Sequence, residues 1–164
     1  MSGVTKHIFE HELNDILLMW NTEIKSVAPL LPRKYTKADI IALLKYYYPH
    51  EWQSVESIYK YYCTKDKYLK RRFGKSRYNM SEPKLLIQRV SAFKKIFSES
   101  YKCAHWNAYS EKSCVDSSVK LWEARKCKID RINSKIEIAL SKTQQVTPLF
   151  INQLIGLYLS LIHI

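Results

Sequence analysis

Glycine is scarce in this chain. There are three in 164 residues, at Gly3, Gly74 and Gly156, with five prolines beside them. Isolated glycines cannot build the Gly-rich turn that cradles a phosphate, and no Gly-x-Ser-x-Gly elbow is present to expose a nucleophilic serine. So few turn formers also mean few turns, and therefore long elements. Cysteine is equally thin: Cys63, Cys103, Cys114 and Cys127 stand far apart. Without a Cys-x-x-Cys pair the usual zinc loops cannot be drawn, and the segment Cys103-Ala-His105 does not supply one. The stretch from Met1 to His7 is polar and does not read as a signal peptide, so reduced thiols in a cytoplasm are expected. No run approaches the roughly 18 to 20 apolar residues of a membrane span. The most apolar segment, 149–164, is interrupted by Asn152, Gln153 and Ser160, so no membrane partner is expected. Acidic residues are also short, 15 against 27 Lys and Arg, for a formal net charge of +12. That surplus attracts phosphate polymers, anionic lipid heads or an acidic partner protein.

What is present is a helical vocabulary. Hydrophobic residues make up 46% and charged residues 26%, which suits a domain with a core and excludes bulk disorder. Helix formers dominate, and useful stretches of apolar/polar alternation are missing. Phe9, Leu13, Ile16, Leu17, Trp20 and Ile24 recur at three- and four-residue steps, predicting a helix over 7–28 that Pro29 and Pro32 end. Thr36 and Asp39 form a capping-box pattern ahead of a short helix carrying Ile40, Ile41, Leu44 and Tyr47, broken at Pro49. A longer helix, 50–73, sets Trp52, Val55, Tyr59, Tyr62, Leu69 and Phe73 on one side, and Gly74 is placed to stop it. Ser81 is read as the cap of one further helix burying Leu86, Val90, Phe93 and Phe97. Residues 101–116 are the least regular and read as a segment containing a loop. A helix over 117–142 follows, built on Val119, Trp122, Ile129, Ile132, Ile136 and Leu140. Thr147 and Pro148 open a last helix with Phe150, Leu154, Tyr158 and Leu161 inward. The expectation is an all-α, irregular bundle of about six helices. It forms a single domain over 1–158, with only a weak boundary signal near Ser110.

The densest chemical signal is the Lys/Arg/Tyr-rich segment 59–78. Lys60, Lys67, Lys70, Arg71, Arg72, Lys75 and Arg77 lie among Tyr61, Tyr68 and other tyrosines, with Asp66 the single acid. Cations neutralise phosphates and aromatic rings offer stacking platforms for unpaired bases, so these nine residues are the candidate contact to nucleic acid or to an acidic partner. A solvated helix face that keeps the chain soluble would look the same. The helices on either side of Pro49 also admit a helix-turn-helix reading, but Glu51, Gln53, Ser54 and Glu56 at the start of the second make poor phosphate contacts. In the helix over 117–142, Glu123, Asp130 and Glu137 step by seven along one line, and Lys120, Lys128, Arg131, Lys135 and Lys142 fall on another. That separation suits packing between neighbours or self-association. His7 and His11 have i, i+4 spacing, but Ile8 stands where a zincin helix needs glutamate. No catalytic, cofactor-binding or metal-ligating residue can be assigned.

The segment Lys128-Ile-Asp-Arg-Ile-Asn-Ser-Lys-Ile-Glu-Ile-Ala-Leu140, followed by Thr147-Pro-Leu-Phe-Ile-Asn-Gln-Leu-Ile-Gly-Leu-Tyr158, resembles the helical N-terminal region of bacterial proteins that carry a C-terminal Toll/interleukin-1 receptor (TIR) domain. The resemblance implies that NAD cleavage, where such proteins have it, belongs to the C-terminal domain. The helical region would then sense, oligomerise or bind a partner, in a setting such as antiviral defence. No catalytic residue of that domain can be carried onto this chain. The string Leu159-Ser-Leu-Ile-His-Ile164 ends in mid-helix without a cap and looks like non-native read-through. The expectation is therefore the N-terminal part of a longer protein.

Overall fold

The computed structural model describes residues 2–141, together with 151 and 155. Among these residues every regular element is helical: seven α-helices and two 3₁₀ turns. The bundle is irregular, as the composition led us to expect.

Helix α1 spans Ser2–Val27. Its stripe Phe9, Ile16, Trp20 and Ile24 is buried, so the face set by three- and four-residue spacing is the face that packs. Pro29 follows, and the chain tightens into the 3₁₀ turn Ala28–Leu30. Helix α2, Lys37–Tyr47, starts where the Asp39 carboxylate accepts the Thr36 N–H at 2.6 Å. The acid satisfies a backbone donor and sits at the positive end of the helix dipole. Helix α3, Pro49–Phe73, opens on proline, which costs nothing where the N–H would lack a partner anyway. It closes on Gly74, whose φ of 72° lets its N–H reach the Lys70 carbonyl at 2.9 Å.

These elements converge on one core in which Trp20, Ile24, Leu31, Ile40, Leu44 and Val55 are sealed from solvent. The Trp20 and Trp52 ring centroids lie 5.6 Å apart at its centre. Burying side chains of this size is worth roughly 1.5–3 kcal/mol each, which makes the junction of α1, α2 and α3 the anchor of the fold. A satellite cluster of Phe9, Tyr62 and Tyr78 packs edge to face near the start of α1. There the Tyr62 hydroxyl donates to Glu12 Oε2 at 2.5 Å.

Four expectations are corrected. The helix that was to bury Leu86, Val90, Phe93 and Phe97 is broken in two. Helix α4 spans Pro83–Leu86, the 3₁₀ turn Ile87–Arg89 follows, and α5 spans Ser91–Ile96. The break has a tertiary cause. Asn21 reaches across from α1, and its Oδ1 accepts from the Ser91 hydroxyl at 2.8 Å and the Ala92 N–H at 3.0 Å. It caps a new helix where sequence spacing would have continued the old one. Leu86, Val90 and Phe93 are buried all the same.

The segment 101–116, read as the least regular, does contain the expected loop, at Tyr109 and Ser110, but is otherwise helical: α6 covers Glu99–Ala108 and α7 begins at Glu111. Helix α6 has no buried residue and hence no apolar stripe to read. It is held by its Ser98 cap, by ring contacts such as Tyr35 to His105 at 5.3 Å, and by His105 Nε2 against the Pro32 carbonyl. Third, α7 runs Glu111–Ser141, and the face expected inward is largely open. Val119, Trp122, Ile129 and Leu140 are exposed, whereas Ile136 and Arg125 are buried. Fourth, Phe73 is exposed rather than inward, because α3 extends past the core before Gly74 ends it.

Among the described residues no helix is long and apolar enough to cross a membrane. All four cysteines are free thiols, Cys63 and Cys114 half-buried, Cys103 and Cys127 exposed. The helix opened by Thr147 and Pro148, and the 159–164 string, lie outside the described residues.

Candidate functional site

The nine candidate contact residues occupy the C-terminal half of α3 and the loop beyond it. Lys60, Lys67, Lys70, Arg71, Arg72, Lys75 and Arg77 are all exposed, as are Tyr61 and Tyr68. The rings are not idle. The Lys65 ammonium sits 4.3 Å from the Tyr61 ring centroid, and Arg72 Nη1 donates to the Tyr68 hydroxyl at 2.6 Å. Cation and ring are thus already joined on this surface.

Asp66, the lone acid of the segment, does structural work there. Its carboxylate accepts the N–H groups of Arg77, Tyr78 and Asn79 at 2.8, 3.0 and 2.7 Å. Burial works against its charge, but these three donors outweigh it and hold the carboxyl below the usual range. Asp66 therefore folds the 77–79 loop back onto α3 and returns Arg77 to the basic face.

The helix-turn-helix reading meets a geometric obstacle. The first turns of α3 would have to enter a groove, yet Glu51, Trp52 and Val55 there are buried in the bundle.

The feature that sequence reasoning missed lies on another side of the bundle. Helix α7 meets the rest of the fold mainly at the 3₁₀ turn Ala28–Leu30. A cavity of about 770 Å³ remains between α1, α3 and α7. Its apolar walls include Ile16, Met19, Val55, Ile58 and Leu121. At its inner end three charged groups are packed together. Glu51 of α3 has no exposed surface, and Glu23 of α1 and Arg125 of α7 each keep 6%. Arg125 holds Glu51 Oε1 with Nη1 at 3.2 Å and Nη2 at 3.3 Å, and its guanidinium lies 4.3 Å from the Tyr48 ring centroid. Glu23 lines the cavity, and its Oε2 is shut off from water with no hydrogen-bond partner among the described residues; Glu51 Oε2 is in the same state. Burial pushes the Glu23 carboxyl up to about 8, and the nearby Glu51 charge adds to this, against the opposing pull of Arg125 and Lys128. At the outer rim lie Glu12, bonded to Tyr62, and Asp15, paired with His11 Nδ1 at 2.9 Å.

The acids could have been found from spacing. Glu23 is three residues beyond Trp20 and four before Val27, on the inward stripe of α1. Glu51 is four before Val55 on that of α3. Two acids at inward helical positions call for a buried cation, and Arg125 supplies it.

The fold and cavity thus define an all-helical region with a charged internal site. The chain is similar along most of its length to a protein of Cytobacillus dafuensis named "Putative cyclic ADP-D-ribose synthase TIR2". Identity is 28% over 158 residues, covering 96% of this chain and 42% of that protein. The chain therefore spans less than half the length of the relative it matches. No protein-family profile matches the sequence, and no solved structure matches the chain.

Proposed function

We propose that this chain is the non-catalytic helical region of a larger bacterial protein, and that it senses a stimulus or binds a partner, another copy of itself included. The chemistry would be carried outside these helices, with antiviral defence as the setting. The observation that carries the reading is the extent of the likeness. Nearly all of this chain aligns with under half of a protein whose name assigns it cyclic ADP-ribose synthesis. Helix α7 adds support, since it presents Val119, Trp122 and Ile129 to solvent beside its separated charges.

Two NAD incubations test this. The purified 164-residue chain should release no nicotinamide, whereas the uninterrupted reading frame of the parent gene, expressed whole, should convert NAD to a cyclic product. Turnover by the chain alone would overturn the non-catalytic reading. An inert whole protein would break the link to the relative's named activity.

A second reading, nucleic-acid binding, is favoured by the exposed Tyr61 and Tyr68 set one heptad apart among cations. It requires a labelled oligonucleotide to bind at low salt. Changing Lys67, Lys70, Arg71 and Arg72 to Glu should then weaken binding and flatten the salt dependence by roughly one unit of log–log slope for each phosphate no longer neutralised. Equal affinity of the two proteins, or no binding by either, ends that reading.

A further inference from the structure

We infer that the cavity between α1, α3 and α7 is a binding site for a small organic cation, an ammonium or guanidinium group on a short apolar body, with Glu23 as its counter-ion. The inference stands apart from the role of the chain in a larger protein.

Three observations converge on it. The volume, about 770 Å³, lies in the range that holds small molecules. The walls are apolar on both sides, with Ile16 and Met19 on α1, Val55 and Ile58 on α3 and Leu121 on α7. This favours a hydrocarbon body over a densely polar one. The buried ionisable groups are uneven, two acids to one base, and Glu23 meets this by keeping its proton until a cation arrives. Glu23 and Glu51 are buried together, and among the described residues Arg125 is the cation buried with them. Arg125 is bonded to Glu51.

Among the described residues no donor meets Glu23 Oε2. A buried polar oxygen without a partner costs roughly 1–3 kcal/mol, and a bound cation would supply the missing donor. The terminal carboxylate torsion is soft, so either oxygen can turn toward the cavity. Glu12 and Asp15 at the rim add negative potential along the way in. With Glu23 ionised, the lining acids Glu12, Asp15 and Glu23 and the adjoining Glu51 stand against Arg125 and Lys128, so an anionic ligand would be repelled. Among the described lining residues Lys128 is the exposed cation, and it competes for the same carboxylate.

The chemistry has a signature. Glu23 holds its proton at neutral pH in the empty cavity, whereas an alkylammonium ligand arrives already charged. Binding should ionise Glu23 and release one proton per ligand, with no bond made or broken in the ligand.

The test is titration calorimetry of the full chain at pH 7 with isoamylamine and with isoamyl alcohol, in two buffers of different ionisation enthalpy. The amine should bind, with a heat that differs between buffers by one released proton, and the alcohol should not. Glu23→Gln should weaken the amine by about tenfold or more. Lys128→Gln should tighten it. Circular dichroism checks that both variants fold, and Glu23→Asp gives a second variant that keeps the acid. Amine binding that is unchanged in Glu23→Gln, equal binding of the alcohol, or no binding at millimolar amine by the wild type and by Lys128→Gln would each overturn the site.

Discussion

Replacing Arg125 with Met should lower the stability of the fold by about 3–5 kcal/mol. The Arg125 guanidinium reaches Glu51 Oε1 with two nitrogens, and Glu51 has no exposed surface at all. Removing the cation leaves a carboxylate in the core with no solvent to replace it. That penalty, rather than the strength of the pair, is what the variant measures. A methionine of similar length keeps contact with the Tyr48 ring, which the guanidinium now covers at 4.3 Å, so packing loss stays small. The second variant separates the two effects. Arg125→Met combined with Glu51→Met removes both partners and should recover most of the loss, since apolar replacements of buried ion pairs are often neutral or better. Urea denaturation of the four proteins of this cycle gives the coupling directly. A loss below about 1 kcal/mol in the single variant would mean that Glu51 finds another partner. A double variant no more stable than the single would show that shape, not charge, is what Arg125 contributes.

The cycle also marks how far the sequence can be read. The stripe Phe9, Ile16, Trp20, Ile24 and the stop at Gly74 are local signals, and they survive into the structure because the forces behind them act within one helix. The break at Val90 is not local. It depends on Asn21, seventy residues away, offering its side-chain oxygen to Ser91 and Ala92. Helix α6 shows the opposite failure. It buries no residue, so hydrophobic periodicity had nothing to report, although no Gly or Pro interrupts it. The basic residues of 59–78 other than Lys65 were legible as exposed, because charge alone places them.

The cavity was not legible as a cavity. Spacing puts its acids on inward stripes, but an inward acid signals a buried cation and not a cavity beside it. Arg125 could not be matched to them without knowing that α7 lines the same cavity as α1 and α3.

Glu23 carries the second large prediction, and its sign follows from its surroundings. The groups that face it are Glu51 from α3, Arg125 and Lys128 from α7, and the Tyr48 hydroxyl ahead of α3. Burial, then the Glu51 charge, raises its carboxyl from 4.5 to about 8, and the two cations pull the other way. The folded protein therefore keeps a proton that the unfolded chain loses above about pH 4.5. Its contribution to stability is fully present below that value and declines as pH rises toward about 8. At 1.36 kcal/mol per pH unit the whole decline, from 4.5 to about 8, is about 5 kcal/mol at most. Glu23→Gln, neutral at every pH, should be as stable as the wild type near pH 5 and clearly more stable near pH 8, with most of the slope gone. Urea midpoints at the two pH values for both proteins check it. A decline of the same size in Glu23→Gln would assign the titration to another group, and a wild type that gains stability over this interval would mean that Glu23 is ionised in the folded state. The wild-type slope should also shrink in saturating amine, because a cation held by Glu23 removes the reason for the carboxyl to keep its proton.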